Sequence, residues 1–142
     1  TGLNIGSDAP RIFKSLVEST AFGAKSIVER FLSEGVPILG VISIGGIPKK
    51  SSFVMQTVSD VLNMDIKVAR SEQACALGAA MCAATASGIY NTIEEAQDAM
   101  GNGFEREYLP NKENSAKYDA IYEKYHKLGN FIEHEFTTKD HL

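Results

Sequence analysis

Nowhere in the 142 residues does an apolar run approach the roughly 18 residues that a membrane helix needs. No basic stretch ahead of an apolar core marks a secretory signal either. Positive charge is scarce. Fourteen Lys and Arg stand against eighteen Asp and Glu, a net charge of −4, without the basic footprint that nucleic-acid binding leaves. Cysteine is limited to Cys75 and Cys82, and seven residues of helix rise about 10.5 Å, beyond the ~7 Å between Cα atoms that a disulfide bridges. Both thiols are expected to be reduced, buried and inert, in a chain that reads as cytosolic. The three histidines, His126, His134 and His141, lie in one C-terminal stretch without the spacing of a metal site. No carboxylate pair, Ser-His-Asp set, internal repeat or low-complexity tract emerges. Neither a membrane nor a nucleic-acid partner is expected, and no residue of this chain is assigned a catalytic or metal-binding role.

What remains is an ordinary globular composition, 44% hydrophobic and 23% charged, at a length that suits one domain with a sizeable core. Ser7-Asp8-Ala9-Pro10 reads as a helix start, with capping side chains and a proline tolerated in the first turn. Phe13, Val17, Thr20, Ala24, Ile27, Val28 and Phe31 then recur on one face of a long helix ending near Gly35. Its middle is small, and Ser19, Ala21, Gly23 and Ala24 leave room for another element to approach. Pro37 to Ile44 is short, β-branched and nearly all apolar, as a buried parallel strand should be. Ser51 or Ser52 caps a second helix carrying Val54, Val58, Val61 and Leu62, and Asp65 to Ala69 is a second strand.

Ala74 to Ser87 is an alanine-rich helix, with Gly78 suited to tight packing under another backbone. Thr92 caps a shorter helix, Gly101 to Lys112 reads as a loop, and Glu113 to Phe136 forms the last helix. On that helix Tyr118, Ile121, Tyr122, Tyr125, Leu128 and Ile132 share a face. The order α–β–α–β–α–α–α implies a layered α/β fold with parallel strands joined by crossover helices. Two strands make a poor sheet. Together with the opening Thr1, this suggests a chain cut from something longer, with the missing strands upstream.

The strongest local candidate for chemistry is Ile44-Gly45-Gly46-Ile47-Pro48-Lys49-Lys50-Ser51, which joins a strand's C-terminal end to a helix start, where open α/β sheets bind ligands. Paired glycines reach backbone angles closed to other residues and leave room for a flat ligand against the main chain. A tight turn without ligand accounts for the same residues. A P-loop does not: its glycines would have to replace Lys49 and Ile44. A dinucleotide G-x-G-x-x-G is absent too. Glu72 reads as a simple cap of the alanine-rich helix, and Cys75 has no histidine near it in sequence to activate it.

Several segments carry a resemblance when taken together. They are Thr1-Gly-Leu-Asn-Ile-Gly-Ser-Asp-Ala-Pro10, the helix with Ala21-Phe22-Gly23, Gly45-Gly-Ile-Pro-Lys-Lys-Ser-Ser-Phe-Val-Met-Gln56, and Glu72-Gln-Ala-Cys-Ala-Leu-Gly-Ala-Ala80. With the Tyr108-Leu-Pro110 loop and the tyrosine-rich last helix, nearly the whole chain resembles the C-terminal part of the FGGY carbohydrate kinases. The resemblance implies the distal part of an actin-like (ribonuclease-H-like) ATPase domain, spanning residues 1–142 of a longer two-domain kinase. It implies ATP and Mg²⁺ as cofactors, and transfer of the γ-phosphoryl to the 5-hydroxyl of ribulose or, alternatively, to another polyol or ketose. The implied partners are an N-terminal sugar-binding domain of the same chain and a small-molecule sugar.

Carried onto this sequence, the family's adenosine contacts fall at Gly46 and Ser51, with Gly45 shaping the turn. The loop is one residue longer than in many members, which leaves Lys50 as an alternative to Ser51. The general base and the phosphate loops have no counterpart here and are expected upstream, so the chain alone is expected to be inactive. Outside the resemblance, a non-catalytic α/β interaction module stays open.

Overall fold

In the computed structural model, which describes Gly2 to Phe136, the first helix begins where its capping chemistry dictates. Helix α1 spans Ala9–Ser33, and the Asp8 carboxylate accepts the Arg11 backbone N–H at 3.0 Å. Thr1 and residues 137–142, His141 among them, lie outside the described residues. Strand β1 (Val41–Ser43) is followed by a single helical turn, α2 (Ile47–Lys50), and by α3 (Ser52–Leu62). Ser51 supplies the cap of α3, its Oγ accepting the Val54 N–H at 3.3 Å. Then come β2 (Ile66–Ala69), α4 (Ala74–Ala86), α5 (Ile93–Met100), β3 (Phe104–Tyr108) and α6 (Lys112–Phe136). Thr92 caps α5 as its position suggests, accepting from the Glu95 N–H at 3.2 Å.

The chain divides into two compact units. One contains Gly40–Met55 and Asp65–Tyr108, and its sheet has the order β1-β2-β3. β1 and β2 run parallel, with Val41 opposite Ile66 and Ser43 opposite Val68. β3 runs antiparallel to β2 and was not anticipated, because Phe-Glu-Arg-Glu-Tyr between glycines and Pro110 reads as a loop. Charged residues suit an edge strand, which has only one neighbour to pair with. The central strand carries the burial, with Ile66 and Val68 fully enclosed. β1 is shorter than the apolar run and only partly covered, with Ile42 exposed. Its partner offers just four residues, Ile66–Ala69, of which three pair with β1.

Helix α4 packs against α5. Two expectations fail on α4. Cys75 and Cys82 are free, as their spacing requires, but they are exposed rather than buried. Gly78 makes no close approach, since an added Cβ would meet nothing within 4 Å. The cause is composition: α4 is apolar all round, so its sequence does not say which side turns inward.

The other unit comprises the residues up to Leu39, Gln56–Met64 and those from Leu109 onward. Its core is Ala21, Phe22, Val61 and Tyr122, with Val58 and Tyr118 packed against it. The Phe22 ring lies 5.7 Å from Tyr122 and 5.4 Å from Tyr125, centroid to centroid. This aromatic cluster decides which side of α1 faces α6. Phe13, Ile27 and Phe31, on the expected core face, are exposed instead, as are Ile121, Leu128 and Ile132 on α6. Gly23 meets nothing within 4 Å, so the close approach in mid-helix is made at Ala21 and Phe22. Buried Asp60 fastens α3 to the start of α6, accepting from Asn111 N at 2.8 Å and Asn114 Nδ2 at 3.0 Å.

Candidate functional site

Because β1 and β2 are parallel, both leave the sheet at the same end, where α/β sheets place their ligands. The loop after β1, Ile44 to Ser51, and the loop after β2, Arg70 to Gln73, therefore come side by side. Lys49 joins them. Its Nζ donates to the Arg70 carbonyl at 2.8 Å and pairs with Glu105 Oε2 on β3 at 3.4 Å. Arg70 is itself anchored, its backbone N–H donating to the Gly103 carbonyl at 3.1 Å.

Between the loops lies a hollow of about 310 Å³ lined by Gly45, Gly46, Lys49, Lys50, Glu72 and Gln73. Gly45 has φ +91°, the left-handed region that disfavours side chains. Gly46 does not share that need: at φ −83° and ψ −32° its backbone is ordinary helix. At both positions an added Cβ meets no atom within 4 Å, so the peptide between them faces open space. The glycine pair thus divides its work, with Gly45 making the turn and both leaving the main chain bare.

Of the four residues singled out from sequence, Gly45, Gly46 and Lys50 come together in this hollow. Ser51 sits beside it, partly buried, with its oxygen engaged in capping α3, and is not among the described lining residues. Lys49, Glu72 and Gln73 were not singled out as site residues. Glu72 does not cap α4, whose N-cap is Gln73 without a side-chain bond. The signal that could have found them is topological: residues just past the ends of neighbouring parallel strands share one end of the sheet.

The charges are arranged unevenly. The Lys49 ammonium is committed to Arg70 and Glu105, whereas no hydrogen bond or ion pair among the described residues holds the Lys50 ammonium or the Glu72 carboxylate. A groove of about 390 Å³ between α1 and α6 offers a contrast. There Lys25 pairs with Asp119 at 2.6 Å, and the Tyr122 hydroxyl donates to Glu29 at 2.7 Å. Burial, with Glu29 alongside, raises the pKa of that hydroxyl above its ordinary value. Four of the groove's polar groups are thus paired with one another, whereas Lys50 and Glu72 in the loop hollow are available. The hollow can take a flat ring against bare peptide, with an anionic group near Lys50.

Comparison with known proteins identifies the family. Residues 1–87 match the C-terminal domain of the FGGY family of carbohydrate kinases, and the chain belongs to that family. It is similar to the ribulokinase of Vibrio parahaemolyticus, 46% identical over 131 residues that make up 92% of this chain and 23% of that protein. It is also similar to the ribulokinase of Shouchella clausii, 41% identical over 140 residues, 93% of this chain and 25% of that one. The chain therefore spans about a quarter of the length of these relatives. In fold it resembles a xylulose kinase from Lactobacillus acidophilus, with a TM-score of 0.83 at 20% identity over 96% of this chain and 27% of that one. Among the described residues no helix is long and apolar enough to cross a membrane.

Proposed function

We propose that this chain forms the adenosine-binding wall of an ATP-dependent sugar kinase that phosphorylates L-ribulose at its 5-hydroxyl. The observation that carries the nucleotide assignment is the open hollow at the C-terminal ends of β1 and β2, with its bare Gly45–Gly46 peptide. The sugar is inferred from the relatives named ribulokinase, which match more than nine-tenths of this chain.

In this reading the adenine ring lies against the Gly45–Gly46 peptide. Lys50 contributes positive charge beside the nucleotide, and Lys49 braces the two loops so that the hollow keeps its width. Ser51 supports the nucleoside contact by fixing where α3 begins. Phosphoryl transfer relies on positioning and charge neutralisation, and this chain supplies the positioning of one end of ATP. Among the described residues no group of three or more His, Cys, Asp or Glu could hold a metal ion. In this reading Mg²⁺ accompanies the triphosphate, whose protein partners lie in other parts of the longer chain. The base and the phosphate loops belong to other parts of that chain, which includes an N-terminal sugar-binding domain; these residues span about a quarter of the relatives' length.

A coupled assay of the full-length protein with ATP, Mg²⁺ and a panel of L-ribulose, xylulose and glycerol tests the reading. It predicts turnover led by L-ribulose, and none from the 142-residue chain alone. Preference for another sugar overturns the substrate, and turnover by the isolated chain overturns the division of labour.

A further inference from the structure

We infer that Glu72 determines specificity for the sugar of the nucleotide, its carboxylate accepting hydrogen bonds from the 2′- and 3′-hydroxyls of the ribose. The inference rests on the nucleotide reading above. Three observations lead to it. Glu72 lines the same hollow as Gly45, Gly46 and Lys50 but reaches it from the loop after β2. It is exposed, and no described residue pairs with its carboxylate, which leaves the cap of α4 to Gln73. It is also the one acidic residue in a lining that otherwise holds two lysines, and one of those lysines is already committed to Arg70 and Glu105.

An ionised carboxylate only accepts hydrogen bonds. The phosphates of a nucleotide are repelled by it and drawn to Lys50, and the ring nitrogens of adenine are acceptors like itself. The donors that remain are the ribose hydroxyls and the exocyclic amine. A vicinal diol presents two O–H groups to two carboxylate oxygens, whereas the amine presents one N–H to that side. With the base on the glycine peptide and the phosphates toward Lys50, the ribose lies between them. Glu72 then fixes the orientation of the nucleotide as well as its sugar.

The test is a two-dimensional NMR titration of the 142-residue chain with AMP, 2′-deoxy-AMP, 3′-deoxy-AMP and IMP, repeated on Glu72→Ala and Glu72→Gln. The unaltered chain should bind the deoxy forms about tenfold more weakly than AMP, the size of one charge-assisted hydrogen bond. That ratio should fall to about one in Glu72→Ala and to an intermediate value in Glu72→Gln, which keeps one acceptor oxygen. Since the side chain is exposed, both variants should retain the spectrum of the folded chain. Equal binding of AMP and its deoxy forms, or a ratio that survives in Glu72→Ala, overturns the role of Glu72 and leaves the nucleotide reading standing. Weaker binding of IMP alone would move the carboxylate to the base and also overturn it. If AMP shifts no resonance of the hollow up to tens of millimolar, both readings fall.

Discussion

Gly45 and Gly46 are adjacent, yet their substitution should have opposite consequences. At Gly45, φ is +91°, and an alanine there costs about 1–2 kcal/mol, the usual penalty for a side chain in the left-handed region. For a chain of this size that lowers the unfolding midpoint by about 3 °C or more per kcal/mol. At Gly46, φ −83° and ψ −32° suit any residue, and an added Cβ meets nothing within 4 Å. Gly46→Val should therefore change stability by no more than about 0.5 kcal/mol, as surface substitutions do. Its isopropyl group, however, projects into the space assigned to the adenine ring. In the full-length protein ATP affinity should fall at least about tenfold, or 1.4 kcal/mol, with sugar affinity unchanged. Thermal unfolding of the chain and calorimetric titration of the full-length protein with each substrate separate the two effects. A folded Gly46→Val protein that binds ATP normally, or loses ATP and sugar affinity together, refutes the reasoning.

Three further outcomes follow from the packing and the exposed thiols. Asp60, 3% exposed, accepts from Gln56 Nε2, Asn111 N and Asn114 Nδ2, so Asp60→Ala removes bonds from partly buried donors and should cost about 2 kcal/mol in urea unfolding; a loss below 1 kcal/mol would mean that water replaces the carboxylate. Tyr118 is pushed from its ordinary value of 10 up to about 12, first by burial and then by Glu18. The unfolded chain therefore ionises before the native one, so its contribution is whole below pH 10 and is lost as the pH rises toward 12. Denaturant unfolding across that range should show a smaller decline in Tyr118→Phe than in the unaltered chain, and equal declines would contradict the assignment. Cys75 and Cys82 are free and exposed, so both should alkylate without denaturant; a species two hydrogens lighter that resists alkylation would contradict this.

The parts of this structure legible in the sequence are those made by near neighbours. Asp8 and Thr92 announce their helices because each bonds a backbone N–H three residues on. Ser51 and Ser52 compete for the same role in sequence, and Ser51 takes it because the turn of α2 ends at Lys50. The glycine loop was legible because a strand, a turn and a helix follow one another directly. β3 was not, since its pairing partner lies more than thirty residues earlier and its own residues are charged. The inward face of α1 was hidden for a related reason. Periodicity marks an apolar stripe, but the tyrosines of α6 choose Phe22 as their neighbour. Glu72 and Gln73 join the candidate site only through parallel pairing of β1 and β2, which neither local segment encodes.

The central claim, that these residues bind the adenosine end of ATP and little else of it, is tested most directly by NMR titration of the chain with ATP, ADP and AMP. Resonances of Gly45, Gly46 and Lys50 should move, with a dissociation constant on the order of 1 mM, equivalent to about −4 kcal/mol. The three nucleotides should differ little, because one open wall buries only part of a ligand. Micromolar binding that depends on the γ-phosphate, or shifts confined to the groove between α1 and α6, would contradict the account.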